Sequence, residues 1–147
     1  MLGLDPLVNY HFAVMIDGMV IGQFRECEGL SINVKVIEHR SMAPDGKVVY
    51  RKLPGQISYD DIVLKRGKIQ DGVFWDWIAQ VQKGDIDGAR KSGTIIVYDF
   101  GGLKGTAFTF KFGWPMEVEV AKLQAFGNEV LVESVKITHE GLEHVAG

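Results

Sequence analysis

Residues 51–81, RKLPGQISYDDIVLKRGKIQDGVFWDWIAQV, set two periods side by side, and the reading of the fold starts where they meet. A basic pair, Arg51 and Lys52, is interrupted by Leu53-Pro54-Gly55, and a strand-like run then ends in a second basic pair, Lys65 and Arg66. From Phe74 the spacing changes. Phe74, Trp77, Ile78 and Val81 stand at i, i+3, i+4 and i+7, the positions of one helical face. Asp71 is placed to cap the start and Gly84 to end it, which predicts a single helix over Val73–Lys83. Its Trp- and Phe-bearing face is too apolar for water and must lie on a sheet or a barrel end. Nothing in the stretch is arranged for chemistry; it reads as scaffold with a charged surface for meeting other protein.

Outward from this stretch the dominant period is two. Tyr10, Phe12, Val14 and Ile16 alternate with His11, Ala13 and Met15 until Asp17-Gly18, a dipeptide that tolerates the positive φ of a tight hairpin turn. A return strand is expected over Met19–Cys27 with Gly22 as a bulge, then a strand over Ser31–His39 with Ile32, Val34 and Val36 on one side. Arg40–Gly46 holds Pro44, Asp45 and Gly46 and reads as a loop; short strand character at Lys47–Leu53 is broken by Pro54-Gly55. The whole of Arg40–Gly55 is therefore expected to be a mobile loop that orders on assembly. Gln56–Lys65 and Thr94–Tyr98 read as strands, with a glycine loop at Gly101, Gly102 and Gly105. Thr106–Trp114 alternates, placing Phe108, Phe110, Phe112 and Trp114 on one face; beyond Pro115, Met116, Val118 and Val120 oppose Glu117, Glu119 and Ala121. The last strand, Glu129–His139, is apolar on both faces in part, as a central or subunit-covered strand would be. The expected fold is mainly β: one antiparallel β-barrel or sandwich spanning residues 1–147, with one packed helix.

Bulk properties narrow the class. The chain has 147 residues, 46% hydrophobic and 24% charged, a globular composition that argues against disorder. A net charge of −3 gives no basic excess of the kind nucleic-acid binders carry. The single cysteine, Cys27, excludes an internal disulfide and a cysteine-rich zinc site. The N-terminal MLGLDPLVNYHF lacks a basic region followed by a long apolar run, and no stretch approaches the roughly 18 apolar residues of a membrane span. Folding in the cytoplasm without membrane insertion is expected.

Charge is uneven along the chain. From Lys35 to Lys68, eight basic residues, among them Arg40, Lys47, Arg51, Lys52, Lys65 and Arg66, face four acidic ones, net +4. From Pro115 onward, six glutamates, including Glu117, Glu119, Glu129 and Glu133, face Lys122 and Lys136, net −4. Charge runs are usually solvated faces. The alternative is self-complementarity, in which the basic surface of one copy meets the acidic surface of the next, head to tail.

The candidates for chemistry fail on spacing. His139-Glu140 and His144 form H-E-x-x-x-H, which puts the histidines five apart, whereas one helical face needs them four apart. Gly101–Thr106 has the composition of a phosphate loop without its order. Asp60 and Asp61 are strand neighbours that point to opposite faces. Cys27 beside His11 or His39 reads as a small buried apolar residue. Phe74, Trp75 and Trp77 could stack a sugar or base, but the helical spacing makes them a core face. No catalytic residue, metal ligand or cofactor is expected.

Several segments in order resemble the tail tube proteins of contractile phages and related contractile injection systems. These are Asp5-Pro6-Leu7, Phe12–Gly18, Phe24–Gly29, Tyr50–Gly55, Val63–Gly67, Phe74–Trp77, Trp114-Pro115, Asn128–Val130 and Ile137–Leu142. The resemblance implies an inner tube of stacked hexameric rings inside a contractile sheath, each subunit adding strands to a continuous β-barrel around a channel for cargo effector or DNA. It implies as partners the chain itself, a sheath protein, and baseplate and tube-terminator proteins. Assembly in the bacterial cytoplasm would precede incorporation into a virion tail or a released phage tail-like particle. The interface residues expected from the uneven charge are Arg40, Lys47, Arg51, Lys52, Lys65, Arg66, Glu117, Glu119, Glu129 and Glu133. A tube-initiating baseplate subunit, a type six-like secreted ring protein and a glycan-binding β-barrel module using Trp75 and Trp77 are the alternatives.

Overall fold

The computed structural model describes residues 10–99, 104–122 and 129–145. The elements run β1 (Phe12–Ile16), β2 (Met19–Glu28), β3 (Ile32–Met42), β4 (Val48–Tyr59), β5 (Ile62–Gln70), α1 (Asp71–Gln82), α2 (Ile86–Ala89), β6 (Lys91–Tyr98), β7 (Lys104–Lys122), β8 (Glu129–Thr138) and β9 (Gly141–Val145). One antiparallel sheet has the order β6-β1-β2-β5-β8-β7-β9, and β6 also pairs with β7, closing six strands into a barrel with β9 appended. The second sheet is the pair β3-β4 alone.

The barrel forms where alternation supplies an apolar face. Val14, Ile21, Phe24, Ile62, Leu64, Ile95, Phe110, Val135 and Ile137 fill its interior, each nearly devoid of exposure. At the β1–β2 turn Asp17 and Gly18 both take positive φ (53° and 78°), the mirror-image turn that suits strand twist. Helix α1 lies against β7, β2 and β5. Phe74 and Trp77 are buried in its contact, with Ile78 and Val81 flanking them. Asp71, expected as the cap, is the first helical residue; the cap position is Gln70, which makes no side-chain bond. Gly84 does end the helix, at φ 82°, its N–H donating to the Val81 carbonyl. The short helix α2 was not expected; the Asp85 side chain starts it by accepting from the Gly88 N–H.

The expected strand plan is corrected in two regions. Arg40–Gly55 is not a loop: β3 and β4 form a continuous hairpin arm whose turn is confined to Ala43–Lys47, with Gly46 at φ 87°. Pro54 does not break β4. It sits opposite Val36 beside a bulge, and each arm strand has an open edge, where a missing N–H costs no ladder bond. The strand breaks instead at Asp60-Asp61, so the expected strand Gln56–Lys65 belongs to two strands. Second, Phe112 does not share the buried face of Phe110. It adopts φ 54° and is 57% exposed, so the buried positions step from Phe110 to Gly113.

The same three-residue step recurs across neighbouring strands. Phe24 and Cys27 in β2, Leu64 and Gly67 in β5, and Val132 and Val135 in β8 all face inward. The residues between them, Arg25-Glu26, Lys65-Arg66 and Glu133-Ser134, are aligned by the registers Glu26↔Lys65 and Lys65↔Ser134. Arg66 makes the step in β5 by taking φ 55°. Gly67 follows because a Cβ there would stand 2.1 Å from the Gln23 carbonyl oxygen.

Candidate functional site

The structure distributes the ten expected interface residues over two surfaces. Arg40, Lys47, Arg51 and Lys52 lie on or at the tip of the β3–β4 arm. Arg51 and Lys52 are strand neighbours and point to opposite faces, so the basic pair is not one patch. Lys52 stands across from Glu38, and Arg40 across from Tyr50. The arm leaves Ile32, Val34, Val36, Ile37, Met42, Tyr50, Leu53 and Ile57 exposed. Among the described residues its strands pack extensively on each other alone, and the root is tied by Ser31 to Asp60 and by Tyr59 against His139. A two-stranded ribbon of this kind is marginal by itself.

Lys65, Arg66, Glu117, Glu119 and Glu133 come together elsewhere, on the outer face of the sheet β2-β5-β8-β7. There the basic and acidic sets meet within one subunit. Lys65 bonds Glu28 at 2.7 Å, Arg66 approaches Glu26 at 3.5 Å, and Lys136 reaches Glu117 at 3.2 Å. The hydrogen bond from Lys65, and then its charge, hold the Glu28 carboxyl below its ordinary value; the same bond raises Lys65. These pairs are solvent-exposed, so they organise charge more than they stabilise the fold. The backbone of Glu129 pairs with Gln70, and its side chain lies outside the described residues.

The same four strands have two open edges. β1 covers β2 only as far as Phe24, leaving Arg25–Glu28 paired on one side, to β5. β6 covers β7 only as far as Gly113, leaving Trp114–Lys122 paired on one side, to β8. Among the described residues no strand occupies the other side of either segment. Sequence reasoning missed these edges, because pairing is not written in the period of a strand; only the doubly apolar β8 hinted at a covered surface.

The remaining candidates are accounted for as structure. Trp77 is 2% exposed and its indole N–H donates to the Ala89 carbonyl at 2.5 Å, while Trp75 is half-buried against the core. Phe74, Trp75 and Trp77 therefore do not form an open aromatic platform. A cleft of about 440 Å³ between the β1–β2 turn and α1 is lined by Ile16, Met19, Ile21, Val73 and Trp77 with Asp17, Asp76, Lys83 and Lys91 at its rim. His139 is buried, its ring nitrogens each 3.0 Å from a carbonyl oxygen, of Gly141 and of Asp60. His144 Nε2 lies 2.6 Å from the Thr106 hydroxyl. Asp60 and Asp61 lie between β4 and β5, and Asp60 accepts from Ser31 at 2.5 Å. Burial, with Glu28 adding to it, pushes the Cys27 thiol up to about 12. Among the described residues no group of His, Cys, Asp and Glu is placed to hold a metal, and no helix is long and apolar enough to cross a membrane. Residues 101–103 of the glycine loop lie outside the described residues.

Comparison with known proteins agrees with this surface-dominated picture. The chain is similar in structure to a chain of the anti-feeding prophage cap, the AFP tube terminating cap, at TM-score 0.64 and 20% identity, covering 94% of this chain and 89% of that one. A chain of the sheath-tube complex of an extracellular contractile injection system, PVC, in its extended state matches at TM-score 0.64 and 20% identity over 100% of both chains. A chain of the PVC sheath/tube terminator matches at TM-score 0.64 and 23% identity, covering 93% and 94%. No curated protein sequence matches. Residues 8–143 match the family described as T4-like virus tail tube protein gp19, and the chain therefore belongs to that tail tube family.

Proposed function

We propose that this chain is the inner-tube subunit of a contractile phage tail or contractile injection system. Copies form hexameric rings stacked around a channel for cargo or DNA, inside a sheath and between baseplate and terminator proteins. The carrying observation is the pair of open edges. β2, β5, β8 and β7 alternate in direction, so the β7 edge of one copy runs antiparallel to the β2 edge of the next. A unit with an even number of alternating strands can repeat around a closed ring without a parallel seam, and closure removes every edge. The interface is then heterologous, the kind that generates rings. The apolar arm supports stacking, since it exposes a run of large apolar side chains that no described element of its own subunit packs on. The role is structural: the tube transmits force and gives passage, and the exposed ion-paired face of the four strands would line the channel. Assembly takes place in the bacterial cytoplasm, and the finished tube belongs to a tail or released particle.

Light scattering and electron microscopy across concentration test this. Rings that extend into tubes are expected, and extension separates a tube subunit from a terminator, which shares the fold but stops growth. Arg51→Glu with Lys52→Glu should leave the subunit folded and block extension. A strictly monomeric protein at high concentration and physiological salt, unresponsive to sheath or baseplate proteins, refutes the proposal; normal tubes from the double variant remove the arm's charges from it.

A further inference from the structure

Phe112 is placed against the needs of its own subunit. Its φ of 54° lies in the left-handed region, which bulky side chains rarely adopt. The step in phase from Phe110 to Gly113 requires some residue in that conformation, and Gly or Asn would supply it without strain. Instead the position carries an aromatic ring that is 57% exposed. Among the described residues nothing offsets the backbone conformation or covers the ring, and strain of this kind persists where a side chain serves something outside the local fold.

The position of the ring says what that is. Phe112 stands just before Trp114, where β7 loses the cover of β6 and its edge opens; Met116, 46% exposed, follows along that edge. Across the sheet, Glu28 is level with Val63, Lys136 and Glu117 in turn. β2 therefore leaves the sheet at the end where β7 enters it. A neighbouring copy whose β2 lies antiparallel along the β7 edge brings its chain exit, and hence the root of its β3–β4 arm, beside Phe112 and Met116. That root exposes Ile32, Val34 and Ile57, with Val34 and Ile57 directly paired and on one face.

The root is also held in one direction. Gly29 at φ 88° lets the chain pass where a Cβ would stand 1.9 Å from the Asp61 carbonyl oxygen, Ser31 bonds Asp60, and the Tyr59 ring lies 5.6 Å from His139. A contact made by a pre-set root gives up little ordering entropy. We infer that Phe112, with Met116, is the seat for the arm root of a second copy of this chain, an apolar clasp at one end of each strand seam. The inference rests on the ring reading given above.

The test uses the full chain with Phe112→Gly, which removes the ring and suits the backbone, and Phe112→Asn as a second variant. Thermal unfolding of dilute monomer and sedimentation velocity across concentration are read on each. The unfolding midpoint should hold or rise, while the concentration for half-assembly rises by about tenfold or more, as expected when a buried interfacial aromatic is removed. Val34→Ser on the arm should reproduce the defect, and combining it with Phe112→Gly should add little, since both remove the same contact. Assembly of the Phe112 variants at the wild-type concentration overturns the inference while leaving the rings intact. Fully additive defects overturn it too, as does a fall in midpoint as large as a core substitution gives. Loss of sheath binding with normal rings would assign the seat to the sheath and overturn this assignment. Wild-type protein that stays monomeric fails the ring reading itself.

Discussion

Trp77→Ala is the most direct test of how the helix is seated. Trp77 is 2% exposed, meets the Phe74 ring edge-on at 5.9 Å, and its indole N–H is the donor to the buried Ala89 carbonyl. Removing a large buried aromatic costs about 3–5 kcal/mol. The Ala89 carbonyl then loses its donor, adding roughly 1–3 kcal/mol unless water enters the cavity. Trp77→Phe keeps most of the apolar area and isolates the second contribution, so it should cost about 1–3 kcal/mol. Trp75→Ala removes a half-buried ring and should cost about 1–2 kcal/mol, less than the full transfer of a large apolar side chain. For a chain of this size each kcal/mol moves the midpoint by roughly 2–4 °C, so the Trp77→Ala shift should exceed about 6 °C. The assays are thermal unfolding and urea unfolding at a concentration where sedimentation shows monomer, with an unchanged slope against urea as the check on two-state behaviour. Equal, small losses for Trp77→Ala and Trp75→Ala would mean that the buried face of α1 has been assigned to the wrong side.

Two further outcomes are expected. Gly67→Ala forces β2 away from β5, because the clash is with backbone at Gln23 and Phe24; it should cost about 3 kcal/mol by denaturant unfolding, whereas Gly72→Ala, with nothing within 4 Å of its Cβ, should be neutral or slightly stabilising. A similar small effect at both glycines would show that the two strands do not approach so closely. Cys27 holds its proton more tightly in the folded chain than in the unfolded one, up to about 12 against an ordinary 9.0. Its share of stability is therefore complete below about pH 9 and declines as pH rises from there toward 12, by up to roughly 1.4 kcal/mol per pH unit. The stability difference between wild type and Cys27→Ala should shrink over that range, and a pH-independent difference would contradict the burial of the thiol.

The parts of the fold legible in the sequence were those fixed by neighbours along the chain. Asp17-Gly18 specifies its turn through two positive φ values, and the Phe74, Trp77, Ile78, Val81 spacing specifies a helix face. The parts that were not legible depend on what lies across a strand. Pro54 is a breaker only where its N–H is needed, and on the two-stranded arm it is not. Period two runs unbroken through Phe108, Phe110 and Phe112 in the sequence, yet a single left-handed residue shifts the phase, and no composition signal marks Phe112 as that residue. β9 follows the turn at His139, whose cue is a buried imidazole seated between two carbonyl oxygens, one distant in sequence and one near. Of the candidate surface, the residue types were recoverable but their grouping was not: Lys65 and Arg66 join the glutamates of β7 and β8, while Arg51 and Lys52 stand on the separate arm.

The aligned three-residue step across β2, β5 and β8 bears on which insertions and deletions this chain can absorb. Deleting Arg66 alone would put Gly67, Lys68 and Ile69 out of phase with the part of the barrel below, turning Lys68 inward against Phe24 and Val132. A one-residue slip flips every subsequent side chain to the other face. Repair would need matching deletions between Phe24 and Cys27 and between Val132 and Val135, in segments far apart along the chain. Length changes in these strands should therefore be inherited as sets of three, whereas the tip of the arm, at Ala43–Lys47, can lengthen or shorten by itself.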